Sequence, residues 1–206
     1  MRAETAKPVI VLVLLAAGLT AVIAVVAGIT RERIVHNEQA WITQRLDALV
    51  PPAMHDNDLL ADSIAVTSPD LLGSAQPVRI YRARRGGAPV AALIRAIAPD
   101  GYRGPIELLV AIGQDGRLIG VQVIRHNETP GLGDAFESRD VHWLGRFRGR
   151  SLTDPPTQRW TVRRDGGDFD AFTGATITPR AIIKAVRNAL DYYQRNSQRI
   201  FELPSQ

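Results

Sequence analysis

The stretch DAFTGATITPR, residues 170–180, joins a small, hydroxyl-rich loop directly to the expected start of a helix. Thr178 is suited to cap the free amides of the first helical turn, and Pro179 suits the first helical position. Apolar residues then recur at helical spacing from 181 to 193, which predicts one buried helix face. Thr176 is therefore expected just ahead of a helix N-terminus, where unpaired amides and aligned peptide dipoles favour an anion.

The residues before Thr176 leave room around its side chain. Gly174 and Ala175 are small and keep the approach to the hydroxyl uncrowded. The local residues thus indicate a hydroxyl beside an anion site of phosphate size. A capped junction between loop and helix that binds no ligand is the alternative, and this stretch alone does not decide between them.

A second segment, HNETPGLGD at residues 126–134, follows a predicted strand and could line a ligand site. Gly131 and Gly133 would let backbone amides approach a planar ligand closely. Glu128 and Thr129 supply an acceptor and a hydroxyl for the edge of such a ligand, and Leu132 supplies an apolar contact for its face. A surface turn with a solvated carboxylate is the other interpretation.

Several classes of site are disfavoured by composition. The chain has no cysteine, which excludes disulfides and thiolate-held clusters, and its four histidines have no paired spacing that would indicate a metal site. His126 could donate to a ligand or relay a proton, although a surface histidine at a strand end is the commoner case. The formal charge of +4 is scattered, so no nucleic-acid partner is expected. The sequence contains no Gly-rich phosphate loop and no Ser-centred nucleophile elbow.

The N-terminal region predicts a membrane anchor. No residue from 8 to 30 carries a charge, and as a helix residues 8–29 would cover roughly 33 Å, enough for a hydrocarbon layer of ~30 Å. Cleavage after Ala27 is the alternative. Basic residues lie on both sides of the span, but a short tail before a long C-terminal domain favours a cytoplasmic tail at 1–7 and a domain outside.

The remaining chain predicts an α+β fold. Residues 31–52 form a helical stalk that the prolines at 51 and 52 end, and residues 53–206 form the domain. Apolar runs and glycine-rich turns predict an antiparallel sheet with helices packed on it. The predicted strands are 78–82, 89–97, 106–112, 118–124 and 160–163, and a short helix is predicted at 140–147.

These motifs carry a resemblance to a known family. Asp-x-x-Thr-Gly-Ala-Thr at 170–176 resembles the flavinylation motif of FMN-binding domains, in which the last Thr carries FMN through a phosphoester. With the anchor, the stalk and the 126–134 segment in this order, the chain resembles, nearly end to end, the G subunit of the Rnf/Rsx ion-translocating electron-transport complex. It is similar, more distantly, to the C subunit of the sodium-pumping NADH:quinone reductase.

The resemblance implies a set of site residues. Thr176 would be the attachment site of covalently bound FMN. The motif recognised by the flavin transferase, which uses FAD as donor, would be formed by Asp170, Thr173, Gly174 and Ala175. The residues expected near the flavin ring or at the helix start are Glu128, Thr129, Gly131, Leu132 and Thr178. Lys184 could approach the phosphate, although a solvated lysine is the commoner case.

The resemblance also implies a function. The chain would relay electrons between neighbouring subunits of a bacterial inner-membrane complex that couples electron flow between ferredoxin and NAD to ion movement, with its domain facing the periplasm. In some organisms the related complex keeps a redox-sensing regulator reduced. The flavin ring would be partly exposed without a dedicated substrate pocket, so the chain would not be a complete enzyme alone. The alternatives are a stand-alone membrane-anchored flavoprotein and a non-flavin assembly module.

Overall fold

The computed structural model describes residues 3–137 and 142–205, which fall into two compact units, Met1–Gln44 and Arg45–Gln206. Helix α1 (Ala3–Leu49) makes up the described part of the first unit and continues into the second. Its segment Pro8–Thr30 has a mean hydropathy of 3.1, and none of it is buried. By length and composition this segment can cross a membrane. The helix ends at Leu49, just before the proline pair, as the sequence predicts.

A five-stranded antiparallel sheet forms the centre of the second unit. Its strands lie in chain order, so each strand pairs with its sequence neighbours, as β-hairpins and short connections require. The strands are β1 (Ser63–Val66), β2 (Val78–Arg85), β3 (Ala88–Ala98), β4 (Ile106–Gly113) and β5 (Leu118–Arg125). The predicted hairpins β2–β3 and β4–β5 are confirmed. The sequence did not assign β1, which has four residues, or the one-turn helix α2 (Pro69–Leu72) beside it.

One face of the sheet is covered by helix α3 (Ile177–Glu202), which packs on β3 and β4. The helix buries Ile182, Val186 and Leu190 in the same cluster as the sheet residues Ile94 and Val110. This amphipathic packing confirms the α+β class. The helix extends nine residues beyond 193, where the predicted apolar spacing stopped, because Ile200 in its last turns is also buried.

The opposite face of the sheet is buried as well. Leu93 and Leu109 have no exposed side-chain surface there, and the end of α1 contributes buried Leu46 and Leu49. A Cβ at Gly120 would lie 2.8 Å from Leu49 Cδ2, so this glycine lets α1 approach the sheet. Burial on both faces explains the nearly continuous apolar sequence of β4. The compact unit accordingly starts at Arg45, within the predicted stalk.

The end of α3 is held by a buried ion pair. Arg82, 2% exposed, donates from Nε to Asp62 Oδ1 at 2.6 Å, and its guanidinium also donates to the carbonyls of Ile200 and Leu203. Arg84 donates to Asp62 Oδ2 at 2.8 Å. Partial burial acts to raise the pKa of Asp62, but the hydrogen bonds and charges of Arg84 and Arg82 outweigh it and hold that pKa below 3.8. Arg84 also donates to Phe201 O at 2.7 Å, so the two arginines satisfy carbonyls that the helix end leaves free.

The described part of the segment between β5 and α3 is irregular, and two predictions in it need correction. The strand predicted at 160–163 is wrong, because its amides form a local loop instead of joining the sheet. Arg163 N–H donates to Phe169 O at 2.7 Å, and Gly167 N–H donates to Val162 O at 3.1 Å. The predicted helix at 140–147 is a 3₁₀ helix, Trp143–Phe147, and residues 140 and 141 lie outside the described chain.

An aromatic cluster replaces regular structure in this segment. Trp143 packs edge-on against Phe147 and Phe172, with ring centroids 5.3 and 5.0 Å apart. Phe147 stacks on Phe169 at 4.8 Å, and Trp160 lies 5.2 Å from Phe169. All five rings are buried. Their packing against one another and against the sheet positions the loop that leads into α3.

Candidate functional site

The two loops singled out by sequence meet at one cleft. The cleft has a volume of about 150 Å³ and lies between the 126–134 segment, the start of α3 and the turn that joins β3 to β4. Its lining is mixed, with hydroxyl, carboxylate and apolar groups. The lining residues are Tyr102, Glu128, Thr129, Leu132, Gly133, Gly174, Ala175, Thr176, Ile177 and Thr178.

Thr176 is the N-cap residue of α3 and is half-buried in the cleft lining. Its backbone is helical, with φ −95° and ψ −22°, whereas a capping threonine normally adopts extended dihedrals. Its hydroxyl makes no capping hydrogen bond to α3, whose residues are all described. Thr176 therefore presents, at a helix N-terminus, a hydroxyl that is uncommitted among the described residues.

The prediction that Thr178 caps the helix is wrong. The helix starts at Ile177, so Thr178 and Pro179 lie inside its first turn. The Thr178 hydroxyl is buried and donates to Glu128 Oε2 at 2.5 Å. A buried carboxylate is a stronger acceptor for this hydroxyl than any contact that the helix start offers. Pro179 is tolerated in the first turn because an amide there has no intrahelical partner.

Glu128 connects three parts of the cleft. It is 4% exposed, and its Oε1 accepts the Arg103 N–H at 3.0 Å while its Oε2 accepts Thr178. A Cβ at Gly133 would lie 2.7 Å from Oε2, so only glycine fits beside the carboxylate. The charge sits next to the first turn of α3, where the helix dipole favours it. The predicted acceptor for a ligand edge thus already bonds to protein on both oxygens.

Gly174 lies where the loop before Thr176 approaches Leu132. The Ala175 N–H donates to Phe172 O at 3.1 Å, which closes a four-residue turn. Gly174 has φ +79°, a conformation that glycine adopts without steric cost. A Cβ there would lie 3.0 Å from Leu132 Cδ1. The close approach of the two loops therefore depends on the missing side chain at this position.

Three predicted site residues lie outside the cleft lining. Asp170 forms ion pairs with Arg163 at 3.0 Å and Arg146 at 3.5 Å, and its carbonyl accepts the Trp143 indole N–H. Thr173 is exposed on the turn before Gly174. Gly131 is also exposed and has φ +75°. The other seven predicted residues line the cleft together.

Two further side chains have partners that the sequence could not reveal. His126 Nδ1 accepts the Glu128 N–H at 3.2 Å, which assigns the proton to Nε2, 3.0 Å from Glu137 Oε1. Lys184 Nζ lies 2.6 Å from Asp100 Oδ2, so it is exposed but ion-paired. Within the described residues no group of three or more potential ligands could hold a metal ion.

Tyr102 and Ile177 are cleft residues that the sequence analysis missed. Tyr102 lies in the turn between β3 and β4, which the sequence identified only as a turn. Ile177 is 47% exposed although it begins an amphipathic helix. An apolar residue placed directly after the Thr-Gly-Ala-Thr motif was the available signal for Ile177. The residues present fit a flavin nucleotide, because a free hydroxyl, first-turn amides and apolar contacts adjoin one cleft.

Comparison with known proteins agrees with this arrangement. The model of the FMN-binding domain family matches residues 101–191, which include the whole cleft. A relative from Yersinia pestis, named as the G subunit of an ion-translocating oxidoreductase complex, is 47% identical over 198 residues, 95% of this chain and 93% of the relative.

Two further relatives carry the same name. The protein from Pseudoalteromonas atlantica is 46% identical over 201 residues, 98% of this chain and 94% of its own length. That from Shewanella baltica is 45% identical over 185 residues, 90% of this chain and 87% of its own length. Sequence identity at this level over nearly the full length establishes that the chain is a member of the same family as these relatives. The chain therefore belongs to the family of G subunits of ion-translocating oxidoreductase complexes, and it contains an FMN-binding domain.

Proposed function

We propose that this chain is the electron-relay subunit of a membrane-bound ion-translocating complex and carries FMN covalently through a phosphoester on Thr176. The observation that carries the proposal is the uncommitted Thr176 hydroxyl in the cleft of an FMN-binding domain. A threonine at an N-cap normally uses its hydroxyl for the helix, and this one does not. Its freedom is what an attachment site needs.

Attachment requires a flavin transferase and FAD. The Thr176 oxygen would form a bond to the FMN phosphorus, the pyrophosphate bond of FAD would break, AMP would leave, and the hydroxyl would lose its proton. The enzyme must reach the motif from outside the domain. Thr173 and the ion-paired Asp170 are accessible for such recognition, since Thr173 is exposed and Asp170 lies beside two exposed arginines.

The surrounding residues would hold the phosphate end of the nucleotide. The amides of Ile177 and Thr178 lie in the first turn of α3, where free N–H groups and the helix dipole favour negative charge. Glu128 fixes this turn relative to the 126–134 segment through the Thr178 hydroxyl. Gly174 and Leu132 keep the two loops close. When bound, FMN supplies the redox chemistry, and the protein supplies position and electrostatic environment.

The cellular arrangement follows from the same proposal. Pro8–Thr30 would anchor the chain in the bacterial inner membrane, with residues 1–7 in the cytoplasm and a stalk at 31–52. Residues 53–206 would form the periplasmic FMN-binding domain. Neighbouring subunits of the complex would deliver electrons to this chain and accept them from it. The complex as a whole would couple electron flow between ferredoxin and NAD to ion movement. The names of the relatives support membership of such a complex.

A denaturing gel tests the covalent bond. The full chain is co-expressed with a flavin transferase, and flavin fluorescence is viewed in the gel for wild type, Thr176→Ala, Thr176→Ser and Thr129→Ala. We expect fluorescence in all except Thr176→Ala, because serine keeps the hydroxyl and Thr129 is a cleft hydroxyl that is not esterified. A dark wild-type band would instead support a non-flavin assembly module. Isolation without membrane partners from the native host would favour a stand-alone flavoprotein.

A further inference from the structure

The exposed apolar side chains of the second unit are gathered at one place. Within residues 45–137 and 142–205, the exposed large hydrophobic residues are Tyr102 (65%), Ile177 (47%) and Leu132 (43%). All three line the cleft that contains Thr176. Scattered single exposures are normal on a protein surface, but a cluster confined to one cleft marks a surface that something covers.

Tyr102 is the most exposed of the three, yet its turn is held at two points. The Arg103 N–H, one residue away, donates to buried Glu128 Oε1 at 3.0 Å. On the other side, Asp100 pairs with Lys184 of α3 at 2.6 Å. A Cβ at Gly101 would lie 2.2 Å from Gly104 O, so the turn is also closely folded on itself. The fold therefore holds the backbone of Tyr102 in place while leaving its ring open.

The size of the cleft limits how a ligand attached to Thr176 can lie. At about 150 Å³ it is smaller than the roughly 300–1,000 Å³ pockets that enclose small molecules. A flat three-ring system tethered at Thr176 is larger than this cleft, so part of it would lie against the apolar rim. Aromatic rings pair by offset stacking or edge contact, and tyrosine offers the only aromatic ring among the lining residues described.

We propose that Tyr102 is a flavin-binding residue whose ring packs against the isoalloxazine of the FMN attached to Thr176, with Glu128 and the Asp100–Lys184 pair positioning its turn. This rests on the proposed covalent site. An adjacent phenol donates an electron to a photoexcited flavin and receives it back, which shortens the fluorescence lifetime. It also shields one ring face from dissolved quenchers. Both effects can be read without any measurement of electron transport.

The test uses the full chain in detergent, loaded by the flavin transferase and checked by intact mass. Wild type is compared with Tyr102→Leu, Tyr102→Phe and Tyr192→Leu, the last removing a half-buried tyrosine on α3 that does not line the cleft. The readouts are flavin fluorescence lifetime and quenching by iodide. We expect Tyr102→Leu to lengthen the lifetime several-fold and to increase iodide quenching, with no change in Tyr192→Leu. Tyr102→Phe should lengthen the lifetime while keeping the protection from iodide.

The possible outcomes distinguish a contact between Tyr102 and the flavin from other uses of the apolar rim. A change in either readout that is confined to the Tyr102 variants supports the contact. Loaded Tyr102→Leu with wild-type lifetime and wild-type iodide quenching would overturn it, as would an equal change in Tyr192→Leu. If the photophysics is unchanged but Tyr102→Leu no longer co-purifies with other membrane subunits, the rim is a protein contact and this proposal is wrong. An unmodified Thr176 in the loaded wild-type preparation would instead overturn the covalent site on which it rests.

Discussion

The sheet with its helix and the irregular segment from 126 to 176 are stabilised in different ways. In the sheet, hydrogen bonds follow a repeating ladder, and alternate residues face α3 or the end of α1. In the irregular segment, stability comes from a few specific contacts, namely an aromatic cluster, the Glu128 carboxylate and tight glycine turns. The candidate site lies almost entirely on the second kind of structure. A site built on loops needs such individual anchors to hold its geometry.

The largest expected loss of stability follows from a substitution in the aromatic cluster. Trp143→Ala should lower the free energy of unfolding by about 3–5 kcal/mol. Removal of the indole, which is 2% exposed, leaves a cavity and takes away the N–H donor of the Asp170 carbonyl. Leu108→Ala in β4 is the matched sheet variant and should lose about 2–5 kcal/mol. Chemical denaturation of the full chain in detergent measures both. Only Trp143→Ala should also reduce flavin loading at temperatures where both variants are folded, and equal loading would remove the distinction between the regions.

Breaking the ion pair at the end of α3 should cause a smaller loss of stability, and this loss should depend on pH. Asp62→Asn should cost about 1.5–3 kcal/mol at neutral pH, because buried Arg82 loses its charged partner. The pKa of Asp62 in the folded state lies below 3.8, so its contribution is present above that pH and is lost as the pH falls through the lowered value. As the pH falls below about 4, the variant should therefore lose less stability than wild type does.

An ion pair within one turn of α3, between exposed Arg195 and half-buried Asp191, gives the control for that pH experiment. Asp191 pairs with Arg195 one turn later on α3, and surface pairs of this kind contribute about 0.3–0.5 kcal/mol. Asp191→Asn should keep the acid dependence of wild type when unfolding is followed by circular dichroism across the same pH series. If Asp62→Asn and Asp191→Asn gave the same profile, the buried network would not be the source of the effect.

The turn at Gly174 separates a local steric effect from a general loss of stability. Gly174→Val places a branched side chain at φ +79° and against Leu132, at a cost of about 1–3 kcal/mol. We expect a folded domain with little or no flavin attached, measured by intact mass after co-expression with the transferase. Gly166→Val meets the same backbone strain at φ +85° with nothing within 4 Å, and it should load normally. Full loading of Gly174→Val would show that the loop tolerates the side chain.

The smallest expected effect concerns Lys184. Its ion pair with Asp100 is exposed on both sides, so Lys184→Met should cost less than about 1 kcal/mol. Flavin loading, measured as the ratio of flavin absorbance to protein, should not change. A clear fall in loading would show that flavin attachment needs Lys184, either at the phosphate or through its pair with Asp100 in the Tyr102 turn. Met is chosen because it keeps the length of the side chain without its charge.

Sequence reasoning was most successful where structure is local and periodic. The turn at 114–116 and the apolar runs around it predicted the β4–β5 pair, and the spacing after 181 predicted α3. It failed where a partner distant in sequence decides the outcome. The role of Thr178 depends on Glu128, fifty residues earlier, whose buried carboxylate takes its hydroxyl. The path of 160–163 depends on an aromatic cluster that periodicity cannot detect.

The site itself was partly predictable. The Thr-Gly-Ala-Thr and Glu-Thr-Pro-Gly motifs correctly indicated two loops, and the structure brings them to one cleft. Tyr102 was missed because an exposed tyrosine in a glycine turn has no distinguishing pattern. Its relevance emerges only from the position of the turn beside Glu128.

The most direct test is mass spectrometry of the tryptic peptide 165–180, isolated from membranes of the native host. We predict a mass increase equal to FMN less one water, and fragmentation that localises it to Thr176 rather than to Thr173 or Thr178. An unmodified peptide, or a modification on either of the other two threonines, would contradict the account.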